Sequence, residues 1–171
     1  RWGSTSLHYA ADKGNTEAAL ALLHNGASVD AVDNESGTPL HLAAGKGHAD
    51  VARALLEAGA SVDAVDKQGD TPLNWAAIQG YIDVVCALLR AGANVNMRDR
   101  DGDNPLHCAA LRGRCGLAQV LLKEGAIVDA VNLEGHTPLH IAAIEGNAAL
   151  VQVLLEGSAI VDAVEKQGRT P

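Results

Sequence analysis

A tetrapeptide that recurs every 33 residues constrains the fold of this chain more than any other feature. Each full copy consists of Thr or Asn, then Pro-Leu, then His or Asn. The full copies begin at Thr38, Thr71, Asn104 and Thr137. A degenerate copy begins at Thr5, and Thr170-Pro171 stands one period after the last full copy. A repeat in constant register predicts stacked units with a long surface and no enclosed pocket. The default function of such a surface is to hold another macromolecule.

Four further markers keep the same register. An Ala-Ala pair follows the tetrapeptide, a glycine comes three residues later, and a Leu-Leu pair and a Gly-Ala step close the unit. In the third unit these markers are Ala76-Ala77, Gly80, Leu88-Leu89 and Gly92-Ala93. Over its whole length the chain therefore resembles the ankyrin-repeat family, whose signature is a 33-residue unit that carries Thr-Pro-Leu-His-x-Ala.

The resemblance implies an all-α fold with short β-hairpin fingers, arranged as an α-solenoid of stacked ankyrin repeats. It predicts a single domain over residues 1–171, with repeats at about 1–32, 33–65, 66–98, 99–131 and 132–164 and a truncated sixth repeat at 165–171. The fingers come from the resemblance alone, because the residues by themselves predict only helix, helix and turn. We interpret the chain as part of a longer array.

The composition fits thin, closely stacked layers and narrows the classes of partner. The chain is 47% hydrophobic but has no Phe, two Trp and two Tyr, so Ala, Val and Leu must build its core. A net charge of −8 disfavours nucleic acid and anionic membranes as partners. No apolar run approaches the ~18 residues of a membrane span. Three cysteines without framework spacing indicate free thiols, which predicts an intracellular location, cytoplasmic or nuclear.

Local signals predict where the first helix of each repeat begins and ends. Thr is a natural N-cap, Pro is tolerated at the first helical position, and a glycine ends the helix at Gly14, Gly47, Gly80, Gly113 and Gly146. Two repeats depart from the pattern. Gly37 stands one position later than its equivalents, so the tip of that turn is expected to differ. Gly157-Ser158-Ala159 replaces x-Gly-Ala, so that helix end is expected to be reshaped. We attribute both departures to neutral drift, and a functional role is the alternative.

One face of the first helices is predicted to bind a partner. The positions one, four and five after the motif His share a helical face that is distinct from the Leu and Ala core positions. From the third repeat onward the middle position carries Ile78, Leu111 and Ile144, and Trp75 adds an aromatic ring. In the ankyrin family this side of the first helix and the finger tips form the concave binding face. The alternative explanation of these apolar residues is ordinary helix packing.

Basic residues give a second signal in the fourth repeat. Arg98 and Arg100 fall on its finger and Arg112 on its first helix. Because arginine forks bind carboxylates well, we hypothesise that they clamp an acidic or C-terminal carboxylate group of a partner. The alternative is a self-neutralised face in which these arginines pair with Asp99, Asp101 and Asp103. The candidate partner-binding residues are therefore Trp75, Ile78, Gln79, Arg98, Arg100, Asp103, Leu111, Arg112, Leu133, Ile144 and Glu145.

The residues that could support catalysis or metal binding have structural explanations. The family implies that the motif histidines bond to the neighbouring cap and backbone, at His8, His41, His107 and His140. His136 precedes the start of a helix that contains His140, so the two need not share a face, and His24 and His48 are expected to be solvated. His107 and Cys108 are sequence neighbours and point in different directions, which is poor geometry for a thiolate–imidazole pair. We predict no catalytic residue, no metal ligand and no cofactor.

The predicted function is protein–protein interaction without catalysis. Two alternatives stay open: a targeting or regulatory domain of a larger enzyme or channel whose active part lies outside this chain, and a mechanical scaffold without a single tight peptide site. We expect no nucleic-acid partner and no membrane insertion. The apolar ends of a truncated array also predict head-to-tail association of copies, a contact without biological meaning.

Overall fold

A computed structural model describes residues 3–164, 168 and 170–171 of the chain. This part of the chain contains ten α-helices and no strand. In chain order the helices are α1 (Ser6–Lys13), α2 (Thr16–His24), α3 (Pro39–Lys46), α4 (Ala49–Glu57), α5 (Pro72–Gln79), α6 (Ile82–Arg90), α7 (Pro105–Leu111), α8 (Cys115–Lys123), α9 (Pro138–Ile144) and α10 (Ala148–Glu156). The predicted all-α class, with two helices in each repeat, is confirmed.

The chain divides into two compact units. The first is Arg1–Asn94 and contains α1 to α6, and the second is Val95–Pro171 and contains α7 to α10. The predicted sixth repeat at 165–171 lies largely outside the described residues, and the extent of a single domain stays a prediction. Within the described residues, every helix is too short or too polar to cross a lipid bilayer.

The first helix of each repeat begins at a capping box. In the third repeat, Asn74 N–H donates to Thr71 Oγ1 at 3.2 Å, and Asn74 Oδ1 accepts from Thr71 N–H at 3.3 Å. Asn104 caps α7 by accepting from the backbone N–H groups of Leu106 and His107, each at 3.1 Å. Asparagine therefore replaces threonine at this cap, as the sequence predicts.

Two serines occupy left-handed positions that glycine fills in the other repeats, which corrects two expectations. Ser36 has φ 60° where Gly69 has φ 82°, and Ser158 has φ 68° where Gly125 has φ 89°. The backbone hydrogen bonds around both serines match those of the other repeats. At the turn, Asp33 N–H donates to Gly37 O at 2.9 Å, and Asp66 N–H donates to Asp70 O at 3.0 Å in the next repeat. At the helix end, Ala159 N–H donates to Leu154 O at 3.0 Å, and Ala126 N–H donates to Leu121 O at 2.9 Å in the preceding repeat. Neither the turn nor the helix end is reshaped, because serine adopts the backbone that glycine prefers.

In the second to fifth repeats, the turn before the first helix is closed by an acidic or amide side chain. Oδ1 of Asp66 accepts from Gln68 N–H at 2.9 Å and from Asp70 N–H at 3.0 Å. The same pair of bonds is made by Asp33, Asp99 and Asn132. These segments are turns, and the β-hairpin fingers implied by the resemblance are not seen as strands in the described residues.

Within each unit, small and branched apolar side chains let the helices pack closely. In the first unit α1, α3 and α5 lie side by side, and α2, α4 and α6 form a second layer behind them. In the second unit α7 packs on α9 and α8 on α10. The leucines of these interfaces are fully buried, for example Leu40, Leu73, Leu88, Leu106 and Leu121. Some side chains of the first helices remain exposed outside these interfaces, for example Tyr9, Leu111 and Ile144.

Candidate functional site

In the first unit, the predicted residues lie on α5 beside an open cavity of about 370 Å³. Trp75 and Ile78 are half-buried and Gln79 is exposed. The remaining residues that line the cavity come from α3 and from the turn before α5, namely Gly45, Lys46, Asp66, Gln68 and Asp70. Because neither Trp75 nor Ile78 is fully buried between helices, this part of the predicted apolar floor is available for contact.

Close neighbours on α3 and in the turn before α5 hold the Trp75 ring in place. Its Nε1–H donates to Oδ2 of the buried Asp66 at 3.0 Å. The His41 ring meets it edge-on, with ring centroids 5.6 Å apart and planes at 74°. A Cβ atom at Gly45 would lie 2.6 Å from Trp75 Cε3, so the indole occupies space that any larger residue at position 45 would fill.

In the second unit, three predicted apolar residues are well exposed. Leu111, Leu133 and Ile144 have 45%, 59% and 66% of their surface accessible. Leu111 and Ile144 are the last residues of the neighbouring helices α7 and α9, and Leu133 lies in the turn that precedes α9. The exposed Arg112 and Glu145 follow directly as the C-cap residues of these two helices. The second unit therefore presents apolar side chains with charged neighbours.

The three arginines of the predicted clamp lie in different environments. Arg98 donates from Nε to Gly102 O at 2.9 Å and from Nη2 to Val131 O, so its guanidinium braces the turn. Arg100 and Arg112 are exposed and make no ion pair within the part of the chain that the structure describes. These two guanidinium groups are the ones available for a partner.

The neighbouring aspartates stabilise the turn backbone. Asp99 Oδ1 accepts from the N–H groups of Asp101 and Asp103, and burial raises the pKa of the Asp99 carboxyl. Asp103 Oδ1 accepts from Asn132 Nδ2 at 2.9 Å. Among the described residues no ion pair joins these acids to the arginines, so the structure does not support the self-neutralised alternative.

The motif histidines have the structural role that the resemblance implies. His41 Nε2 lies 3.1 Å from Asp70 O and His107 Nε2 lies 3.1 Å from His136 O. Since a carbonyl only accepts, each Nε2 carries the proton, and each Nδ1 accepts from the backbone N–H of the helix cap. Burial lowers the pKa of both imidazoles, which favours this neutral form.

The other histidines differ partly from expectation. The rings of His136 and His140 lie 5.8 Å apart, so the two do approach one another, and His136 Nδ1 lies 3.2 Å from Glu134 Oε2. His48 is half-buried and donates from Nε2 to Asp12 O at 3.1 Å, so the expectation of a solvated side chain was wrong, whereas His24 is exposed. Among the described residues, no group of three or more His, Cys, Asp or Glu side chains is placed to hold a metal ion.

Sequence reasoning missed the cavity beside Trp75. Its acidic wall consists of Asp66 and Asp70, which lie in the turn before α5. A signal was present in the repeat register, because Gly45 occupies the position at which later repeats carry Ile78, Leu111 and Ile144. A missing side chain in one repeat marks a place where the neighbouring repeat gains space.

Comparison with known proteins identifies the repeat. A family model of ankyrin repeats in three copies matches residues 7–99 and again residues 91–167, which together cover most of the chain. No curated protein matches the chain.

Proposed function

The chain belongs to the ankyrin-repeat family, and from that premise we propose that it binds a partner protein or peptide through the exposed side of its first helices and the turns before them. Ankyrin repeats are generally protein–protein interaction modules and are typically not catalytic. This side corresponds to the concave face in the family, with the turns in the place of its hairpin fingers. We further propose that the chain acts inside the cell, in keeping with the free thiols of Cys86 and Cys115.

The observation that carries this proposal is the exposure of apolar side chains beside arginines in the second unit. Leu111 and Ile144 end adjacent helices, and each has about half or more of its surface in solvent. Exposed apolar residues that recur at one repeat position form a surface that a partner can cover. Arg100 and Arg112, which lack ion pairs among the described residues, supply hydrogen-bond donors at its border. This combination fits a peptide that carries apolar residues and a carboxylate.

Selection from a random peptide library displayed on phage tests the proposal. We expect the immobilised chain to enrich peptides that combine apolar residues with Asp, Glu or a free C-terminal carboxylate. The double variant Arg100→Glu/Arg112→Glu should weaken the enriched peptides, with the largest loss at low salt, because screening reduces the attraction that is being reversed. Ile144→Gln should weaken them at all salt concentrations, since it removes an apolar contact.

The matched control is Arg53→Glu/Arg90→Glu. It makes the same change in net charge on the second helices α4 and α6, away from the proposed surface, and should leave binding unchanged. An equal loss of peptide affinity in both double variants would show that the effect arises from net charge alone. Failure to enrich any peptide, or unchanged affinity in the Arg100/Arg112 variant, would contradict the proposed surface.

A further inference from the structure

The cavity in the first unit arises from a difference between repeats. At one position of the first helix the third, fourth and fifth repeats carry Ile or Leu, but the second carries Gly45. Gly45 lies in the middle of the last turn of α3 without a left-handed backbone, so conformational freedom does not explain it. Glycine is a poorer helix former than alanine, so its presence here weakens the helix. The structural gain is space, because Trp75 of the next repeat lies where a Cβ atom at position 45 would be.

The resulting cavity combines an aromatic plane with acidic groups. Trp75 supplies the indole, Ile78 an apolar wall, and Asp66 and Asp70 two carboxylates. Asp66 accepts the indole N–H through Oδ2. Because the face of an aromatic ring attracts cations electrostatically, a carboxylate at the ring edge adds to the attraction. The volume, about 370 Å³, lies within the range of about 300–1,000 Å³ that is usual for small-ligand pockets.

A lysine at the edge of the cavity limits this negative potential only in part. Lys46 also lines the cavity, and its Nζ lies 4.0 Å from Asp12 Oδ1. Its side chain is 57% exposed and therefore largely solvated. The side chains that line the cavity therefore include two carboxylates and one ammonium group, and this net negative charge favours a cation.

We propose that this cavity binds an arginine side chain of a partner, with the guanidinium stacked on Trp75 and paired with the Asp70 carboxylate. Arginine fits better than lysine because its planar group stacks on an indole and donates to a carboxylate in a fixed fork. Its methylene groups would lie against Ile78. The inference rests on the proposed protein-binding role for the source of the arginine. It concerns the first unit, and a small probe tests it separately from the second-unit surface.

The experiment follows the indole N–H of Trp75 by ¹H–¹⁵N NMR in the full chain. The sequence has two Trp residues, so a Trp2→Phe variant assigns the signal. The probes are three blocked tripeptides, acetyl-Gly-Xaa-Gly-amide, in which Xaa is Arg, Lys or norleucine. We expect a saturable shift with the Arg peptide, a weaker one with Lys and none with norleucine. Added salt should reduce the Arg response, because the attraction is electrostatic.

Two variants test the assignment of the cavity. Asp70→Asn should weaken Arg-peptide binding by about three- to fivefold, as expected for a partly exposed ion pair. Asp83→Asn, the same change at an exposed site in the first turn of α6, should leave binding unchanged. Gly45→Ala should displace the indole and abolish the Arg response while the chain stays folded, since alanine favours the helix.

Several results would overturn the inference. Equal shifts with Arg and norleucine would show an apolar pocket without charge recognition. Absence of any saturable shift at about 20 mM peptide, roughly an order of magnitude above a millimolar dissociation constant, would show no pocket for arginine at all. Equal weakening by Asp70→Asn and Asp83→Asn would place the effect in net charge. The second-unit surface contains none of these residues, so a negative result for the arginine cavity would leave the proposed peptide binding by the second unit untouched.

Discussion

At the scale of single residues, serine and glycine exchange at positions that require a positive φ. A residue with a Cβ atom pays about 1–2 kcal/mol in the left-handed region. Ser36 and Ser158 bear this strain, with φ values of 60° and 68°, whereas the other described repeats place glycine there. The repeat register of the sequence identifies both serine positions, but residue preferences alone predict a reshaped backbone there. That prediction was wrong because local preferences do not account for the hydrogen bonds that hold the backbone in place.

Replacing Ser158 by glycine should therefore stabilise the second unit by about 0.5–1 kcal/mol, the relief of strain less the larger entropy that glycine loses on folding. Urea denaturation would measure the change in the free energy of unfolding. Ser28→Gly is the control, because Ser28 is an exposed serine whose φ is not positive; it should be neutral or destabilising. Equal effects at both sites would remove strain as the explanation.

At the scale of the helix, the start of each first helix depends on very few side chains. Thr71 is fully buried, and its hydroxyl accepts from Asn74 N–H at 3.2 Å. Such caps could be predicted from the sequence, because an N-cap, a following Pro and the residue at N3 act over a few positions. The glycines that cap the ends of α1, α3 and α5 could be predicted for the same reason, whereas α7 and α9 end one residue earlier than predicted, at C-cap residues that precede Gly113 and Gly146.

Thr71→Ala should cost roughly 0.5–2 kcal/mol of unfolding free energy through the lost cap. Thr71→Ser keeps the hydroxyl and should restore most of the stability, which separates the cap from the loss of buried volume. Thr16→Ala is the matched control, because Thr16 is the first residue of α2, whose cap is the preceding Asn15. A loss within error at Thr71 in chemical denaturation would contradict the capping argument.

Contacts between elements could not be predicted in the same way. Helical periodicity places Trp75 and Ile78 on an accessible face, yet the cavity depends on how closely α3 and α5 approach at Gly45. Likewise Arg98 has the right charge and register for a clamp, but its guanidinium turns back to the carbonyls of Gly102 and Val131. The one-dimensional pattern identifies the repeat and the face, and the three-dimensional packing decides which side chains remain free to act.

At the scale of the whole molecule, each unit contains a buried histidine that couples stability to pH. Burial lowers the pKa of His41 in the first unit and of His107 in the second. Above the ordinary histidine value of about 6.5 both the folded and unfolded forms are neutral, and the stability is fully present. As pH falls below that value the unfolded chain binds protons that the folded chain resists, so stability is lost towards the lowered folded pKa. The pKa of Asp99 is raised, so the pH dependence that it contributes is opposite to that of the histidines. Its contribution to stability is lost as pH rises above about 4.

We therefore expect the free energy of unfolding to fall between pH 7.5 and 5.5, by up to about 1.4 kcal/mol per histidine at pH 5.5. Asparagine is a neutral replacement for the motif histidine that the chain itself uses, because Asn74 occupies the motif position in the third repeat. Its Oδ1 accepts from Thr71 N–H, just as the imidazole Nδ1 of His41 accepts from Thr38 N–H. His41→Asn/His107→Asn should flatten this part of the pH profile, measured by urea denaturation at each pH. The control, His24→Asn at an exposed helix end, should keep the slope. If the double variant retains the full pH dependence, the buried imidazoles are not its source. If the two units unfold in separate transitions, the single variants assign each slope, since His41 should affect only the first unit and His107 only the second.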